Sequence, residues 1–292
     1  MGTAVIFGAS GQDGHYLSRL LRSHGVQVVG TSRKDGEHAG DVSDFGFVES
    51  VIKRHHPDFV FHLAATSSAR HSFLFENHQS ISTGTLNILE NVYRSCSSAR
   101  VFLSGSALQF RNQGLPIDED CEFEASSAYA LARIHSTYAG RYYRAAFGLH
   151  VFVGYFFNHD SPMRSESHVN QAIAAAASRI AAGSDEVVTI GNASVRKEFN
   201  FAGDIVDAAW ALVQQDKVYE AVIGCGETHT IREWAELCFS LVGLNLDDHL
   251  VVPEGFVAEY DVLVSKPTLI RSLGWKPTVG MQGLVEMMMG KE

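Results

Sequence analysis

Gly8-x-x-Gly11-x-x-Gly14 is the first group of residues whose types and spacing point to chemistry. It follows the apolar run Thr3-Ala4-Val5-Ile6-Phe7 and precedes Tyr16, Leu17, Leu20 and Leu21 at helical spacing. Glycines let the backbone turn tightly and approach a pyrophosphate, whose charge the free N–H groups of a helix start can bind. Ser10, Gln12 and Asp13 fill the turn between them. A flavodoxin-like turn without a nucleotide is the alternative reading. The next strand ends Gly30-Thr31-Ser32-Arg33-Lys34. Folds that select NAD usually place an acid there for the ribose 2′-hydroxyl. Two hydroxyls and two cations suit a 2′-phosphate instead, and arginine can meet it bidentately. The expected cofactor is NADP(H). A second pair, Tyr129 and Arg133, stands four residues apart, on one face of a helix. A free tyrosine titrates near ~10, so it works as a base near neutrality only beside a positive charge. Taken alone, Tyr-x-x-x-Arg is also a common structural pair.

These residues need a scaffold. Strand, glycine turn, helix to Gly25 and strand Val26–Val29 make a βαβ unit, which requires a parallel sheet. The alternation continues with apolar Phe59–Leu63, a helix marked by Thr85 to Tyr93, strand Val101–Leu103, a long helix Ser127–Phe147 and strand Leu149–Phe157. The fold class is therefore α/β, a Rossmann-type doubly wound parallel sheet over residues 1–157. After Asn158 come a polar loop His159–Ser167, an alanine-rich helix Ala172–Ala182, a helix Asp204–Gln215 and an amphipathic helix Thr230–Val242. Residues 201–221 are expected to return to the first domain. Residues 158–200 and 222–292 are expected to form a small α/β substrate domain.

The chain has 292 residues, 46% hydrophobic and 19% charged, an ordinary globular balance. Thirty-three acidic against 23 basic side chains give a formal charge of -10. That leaves no global positive field of the kind used for nucleic acid or anionic membranes. Cys96, Cys121, Cys225 and Cys238 contain no CxxC pair, and no HExxH pair occurs among 14 histidines, so no metal is expected. The N-terminus lacks the features of a signal peptide, and no apolar run approaches the ~20 residues of a membrane span. A cytoplasmic, reduced, soluble protein is expected.

Several stretches together resemble the extended short-chain dehydrogenase/reductase superfamily, the NAD-dependent epimerase/dehydratases. They are Gly8–Gly14, Gly40-Asp41-Val42, Phe61-His62-Leu63-Ala64-Ala65, Ser104-Gly105-Ser106 and Tyr129-Ala-Leu-Ala-Arg133. Two subfamilies compete. Phe157-Asn158-His159-Asp160-Ser161-Pro162, Gly226–Glu233 and Leu273-Gly274-Trp275-Lys276-Pro277 are similar to GDP-mannose 4,6-dehydratase. Gly30–Arg33 and His62–Ser68 look more like GDP-4-keto-6-deoxymannose reductase. The resemblance implies that Tyr129 exchanges a proton with a sugar oxygen while hydride moves to or from nicotinamide, and that Ser106 hydrogen-bonds the same oxygen. Arg133 stands where the superfamily has a lysine that holds the nicotinamide ribose. Cofactor contacts are further implied for Asp41, Val42, Leu63, Ala64 and Ala65. Substrate contacts are implied for Ser67, Asn158, Arg196, Lys197 and Glu227.

The chain departs from the dehydratase pattern. Ungapped alignment from Arg100 sets Ser106 at the dehydratase threonine and Leu108 at the glutamate that removes the C5 proton. Leucine cannot accept a proton. Nearby Glu119, Glu122 and Glu124 read as solvated charges. In the diphosphate-binding stretch Lys197 takes the arginine position, with Arg196 beside it as a substitute by register, and Phe256 replaces a second arginine. The expected function is an NADPH-dependent ketoreductase, or an epimerase, acting on a nucleotide-activated keto-deoxysugar, with a GDP-linked substrate favoured. A 4,6-dehydratase with a relocated base and a cofactor-binding regulatory protein are the alternatives. A homodimer is expected through the helices Thr83–Ser98 and Ser127–Phe147, with Tyr138, Tyr142 and Ala146 as an apolar seam. The arginine-rich loop that builds the dehydratase tetramer is replaced by the short stretch 35–40.

Overall fold

A computed structural model of the chain describes residues 2–34 and 38–291; the loop positions 35–37 named above lie outside the described residues. Six parallel strands make the central sheet: β1 (Thr3–Phe7), β2 (Gln27–Thr31), β3 (Phe59–His62), β4 (Arg100–Ser106), β5 (His150–Phe156) and β6 (Glu220–Ile223). Their order is β6-β5-β4-β3-β1-β2. Each strand is covered on both sides, which is why its sequence is a continuous apolar run rather than an alternation. On one face, helix α1 (Gln12–Ser23) packs Leu17 and Leu21 against Ile205, Ala209 and Leu212. On the other, α2 (Phe45–His55), α3 (Gly84–Ser95) and α4 (Ala128–Phe147) contribute Val48, Ile52, Ile88, Leu89 and Tyr143. Helices α1 and α4 end where Gly25 (φ +73°) and Gly148 (φ +68°) take the left-handed conformation.

A second core lies beyond β5. It joins α5 (Val169–Ala181), α7 (Ile231–Ser240) and α8 (Met281–Met288), with Trp234 stacked on Phe199 at 5.0 Å between ring centroids. Helix α6 (Ala202–Val213) and β6 belong to the first core, so the returning segment runs on to Ile223. A second return was not legible in the sequence: Ile270 and Trp275 also bury themselves against the first core. The expected polar loop after Asn158 starts instead as a two-residue strand, His159–Asp160, paired in parallel with Asn200–Phe201.

Ligands in open α/β sheets bind beyond the carboxyl ends of the strands, where the strand order reverses. Here that point is between β1 and β3. Strands β4 and β5 run on to the pair Ser106–Phe156, so four strand ends deliver residues to one cleft of 470 Å³.

Candidate active site

The glycine turn is shaped by close approach. Gly8 has φ +96°, and a Cβ there would stand 2.6 Å from the Ala64 amide nitrogen. A Cβ on Gly14 would stand 2.3 Å from the Gly8 carbonyl oxygen. Any side chain at either position would separate α1 from the sheet. Gly11 is the N-cap of α1 and brings no side chain to cap it. The first-turn amides of a helix have no partner within the helix, so they are left to an anion. Thr31 O accepts from the Gly8 and Ala9 amides at 3.2 and 3.0 Å. This bond sets the end of β2, and with it exposed Arg33 and Lys34, beside the turn. The donors and space fit a dinucleotide.

Tyr129, Ser106 and Arg133 meet at the other end of the cleft. Ser127 caps α4 by accepting from the Ala130 amide at 3.1 Å, which fixes where the helix starts and which face Tyr129 shares with Arg133. The Arg133 carbon Cζ lies 5.0 Å from the Tyr129 ring centroid. Its Nη1 donates to the Ser104 carbonyl and, at 2.8 Å, to Ser104 Oγ. The side chain is only 4% exposed, and its Nε is buried with no protein partner. An orphaned donor at this point fits a ribose hydroxyl as acceptor. Ser106 Oγ accepts from the Leu108 amide at 3.2 Å, which leaves its own proton for a ligand. Burial, aided by the Arg133 charge, holds the neighbouring His62 imidazole down at about 3, so it stays neutral.

The substrate side carries a denser charge cluster. Lys197 is 7% exposed, with Nζ 5.3 Å from the centroid of the Phe199 ring. Burial pulls its ammonium down to about 8 against the opposing charge of Asp160. Asp160 accepts from Arg164 Nε at 2.8 Å and from Asn170 Nδ2 at 2.6 Å. Asn158 Oδ1 accepts from the Tyr260 hydroxyl at 3.4 Å and its carbonyl from Asn200 Nδ2 at 2.8 Å. Asn158 itself lines the cleft. Glu259, at the cleft rim, is pushed above the usual carboxylate range by partial burial.

With this geometry in view, the comparisons decide the family. The family model described as GDP-mannose 4,6 dehydratase matches residues 5–288. This chain belongs to the GDP-mannose 4,6-dehydratase family. It is 31% identical to GDP-mannose 4,6 dehydratase 1 of Arabidopsis thaliana over 322 residues, covering 99% of this chain and 89% of the relative. Among solved structures, it resembles RMD from Pseudomonas aeruginosa complexed with NADPH (TM-score 0.88, 20% identity, 100% and 98% of the two chains). It also resembles Thermus thermophilus UDP-glucose 4-epimerase complexed with NAD (TM-score 0.85, 18% identity, 99% and 98% of the two chains). Those two likenesses show the shared Rossmann-type fold.

In the turn after β4, Ala107 and Leu108 both line the cleft, and both are apolar. Of the nearby glutamates, Glu122 and Glu124 are solvated surface charges, as expected, and Glu119 is tied to the backbone. Glu119 accepts from the Val222 amide at 2.7 Å, Glu122 pairs with Arg111 at 2.5 Å, and Glu124 lies 3.9 Å from the same arginine. Of the expected substrate contacts, Ser67, Asn158 and Lys197 line the cleft. Arg196 and Glu227 do not. Successive residues of a strand point to opposite faces, so Arg196 turns away and donates to the Thr228 carbonyl at 2.8 Å. Glu227 borders a separate cavity of 150 Å³ with Cys225 and His229.

Of the expected cofactor contacts, Gly8, Gly11, Gln12, Asp13, Gly14, Leu63 and Ala65 line the cleft, while Ser10 and Ser32 flank the turn outside it. Ala64 packs under Gly8. The Val42 side chain is in the core and its carbonyl accepts from Asn87 Nδ2 at 3.0 Å, so a contact from Val42 would come from its amide. One oxygen of exposed Asp41, Oδ1, accepts from the Ser43 amide and hydroxyl at 2.9 and 2.8 Å. Sequence reasoning missed His159, Asp160, Arg164 and Glu259, although the first two stand inside the quoted Phe157–Pro162 stretch. Among the described residues, no three histidine, cysteine or acidic side chains cluster to hold a metal, and no helix is long and apolar enough to cross a membrane.

Proposed function

We propose that this chain is a nicotinamide-dependent enzyme that reduces a keto carbon of a nucleotide-activated deoxysugar, or epimerises a carbinol carbon of it by transient oxidation. The apolar pair Ala107–Leu108 carries this reading over dehydration. Elimination across C5–C6 needs a base beside C5, and general-base catalysis typically contributes ~10²–10⁴-fold. Reduction of a ketone needs no such base. The glycine turn would hold the pyrophosphate of a nicotinamide dinucleotide, which would supply hydride exchange with the sugar carbon. Tyr129 delivers the proton to the sugar oxygen, and Ser106 Oγ donates to the same oxygen and polarises it. Arg133 holds its charge beside the phenol and offers Nε to the ribose. Arg33 and Lys34 favour NADP(H) through the 2′-phosphate. Lys197 and the Asn158 amide meet the diphosphate of the sugar nucleotide, with GDP favoured by the family.

Dehydration is the second reading, supported by the names of the relatives and by Glu259, the cleft carboxylate whose raised pKa suits proton transfer. A homodimer is part of the proposal. Tyr138 and Tyr142 on α4 are 56% and 58% exposed, and Leu86 and Tyr93 on α3 lie out in solvent beside them. The test is a panel of keto-sugar nucleotides with NADPH, followed at the nicotinamide absorbance. Consumption that Tyr129→Phe abolishes supports the proposal. The absence of both NADPH consumption and an epimerised product with all of them overturns it.

A further inference from the structure

The mechanism above makes no use of a buried ion pair that joins the two sides of the cleft. Asp13, in the first turn of α1, faces His159 from a position 146 residues away in sequence. His159 Nε2 is 3.0 Å from Asp13 Oδ1, and its Nδ1 is 2.8 Å from the Phe157 carbonyl oxygen. The carbonyl can only accept, so Nδ1 carries a proton. Gln12 Nε2 donates to the same Asp13 oxygen at 3.3 Å, which marks that oxygen as an acceptor too. With Asp13 ionised, both imidazole nitrogens face acceptors, an arrangement that suits an imidazolium at His159. A second strap runs alongside: Ser161 Oγ donates to Gln12 Oε1 at 2.8 Å.

The position of Asp13 is costly without this partner. The start of a helix favours an anionic ligand, and an ionised carboxylate in that first turn opposes a diphosphate. We infer that His159 is a positioning residue for the dinucleotide: as an imidazolium it cancels the Asp13 charge at the start of α1 and locks that turn to the substrate side of the cleft. The inference rests on the dinucleotide reading of the glycine turn. The other charges around the pair are Arg164, which donates to the His159 carbonyl, Asp160 bonded to Arg164, and His168 and Lys197 beyond them. Burial pulls the His159 imidazole down, but the Asp13 charge and hydrogen bond raise it further, leaving it above its ordinary value. Burial likewise pushes the Asp13 carboxyl up, and His159 outweighs it to hold the group at about 2.

The test is cofactor affinity by calorimetry from pH 6 to 9, with NADP⁺ and NAD⁺ on the whole protein. NAD⁺ matters because the 2′-phosphate of NADP⁺ itself titrates near pH ~6. Wild-type affinity should be constant at the acid end and fall as His159 loses its proton. His159→Gln should weaken binding about tenfold, the equivalent of about 1.4 kcal/mol, and flatten the pH dependence. Asp13→Asn combined with His159→Gln should return affinity to within about threefold of wild type, since both charges are then gone. Nitrogen-15 spectra should show His159 doubly protonated at pH 7. A double variant no better than His159→Gln alone, or a singly protonated His159 at pH 7, overturns the inference. Tight wild-type binding with no pH dependence also overturns it while leaving the dinucleotide reading intact. A wild type that binds neither cofactor at pH 6 overturns both.

Discussion

Replacing Arg133 should cost stability as well as activity, and the amount follows from its contacts. Its guanidinium donates to both the carbonyl and the hydroxyl of Ser104, at the end of β4, with the side chain almost fully buried. A hydrogen bond from a charged donor contributes about 1.5–3 kcal/mol, and a buried carbonyl left without a partner costs about 1–3 kcal/mol. The two bonds share one donor group and do not add fully. Ser104 Oγ also keeps a bond to the His62 carbonyl at 3.0 Å. Arg133→Ala should therefore lose about 3–5 kcal/mol. For a chain of this size that corresponds to a fall in Tm of about 6–20 °C. Arg133→Lys keeps the charge but replaces a planar fork by a single ammonium, so it should lose about 1–2 kcal/mol. Urea unfolding at constant m-value measures both. A loss below about 1 kcal/mol in Arg133→Ala, the size of an exposed ion pair, would refute the anchoring of Arg133 to Ser104.

Three further outcomes are expected. Arg33→Ala should weaken NADPH by about 1–3 kcal/mol and leave NADH nearly unchanged; equal losses by fluorescence titration would remove the 2′-phosphate contact. Lys197→Met should raise the KM for a nucleotide sugar more than it lowers kcat. Because burial lowers the Lys197 ammonium to about 8, affinity for the anionic substrate should fall as pH rises through that value, as the charge is lost; a KM unaffected by the substitution would take Lys197 off the diphosphate. Tyr138→Glu with Tyr142→Lys should yield a monomer by light scattering if α3 and α4 form the dimer seam, and an unchanged mass would place the interface elsewhere.

What the sequence makes legible is local. The glycine turn, the strand ends and the Tyr129–Arg133 pair depend on spacings of three or four residues, and spacing is what a sequence displays. Helix ends at Gly25 and Gly148 are readable for the same reason. Two elements carry weaker signals. Helix α2 opens Phe45-Gly46-Phe47, poor helix formers, and is held by Asp44 accepting from the Gly46 and Phe47 amides. Strand β6 has four residues and is recognisable only from its pairing with β5. The choice between Arg196 and Lys197 turned on which face of a two-residue strand looks inward. That face is fixed by pairing with His229–Thr230 and Val262–Leu263, far along the chain. The Asp13–His159 pair is more distant still, and no local pattern announces it. Val42 shows a different limit: the core takes its side chain, so only its backbone is left to face a ligand.

The central claim is that the turn after β4 has lost the base that elimination requires. The direct measurement is mass spectrometry of GDP-mannose and other hexose nucleotides after incubation with wild-type protein and NADP⁺. The expected result is no loss of water from any of them, alongside NADPH consumption by a keto-sugar nucleotide. Robust formation of a 4-keto-6-deoxy product would contradict the claim, and would mean that a residue other than Ala107 or Leu108 takes the C5 proton.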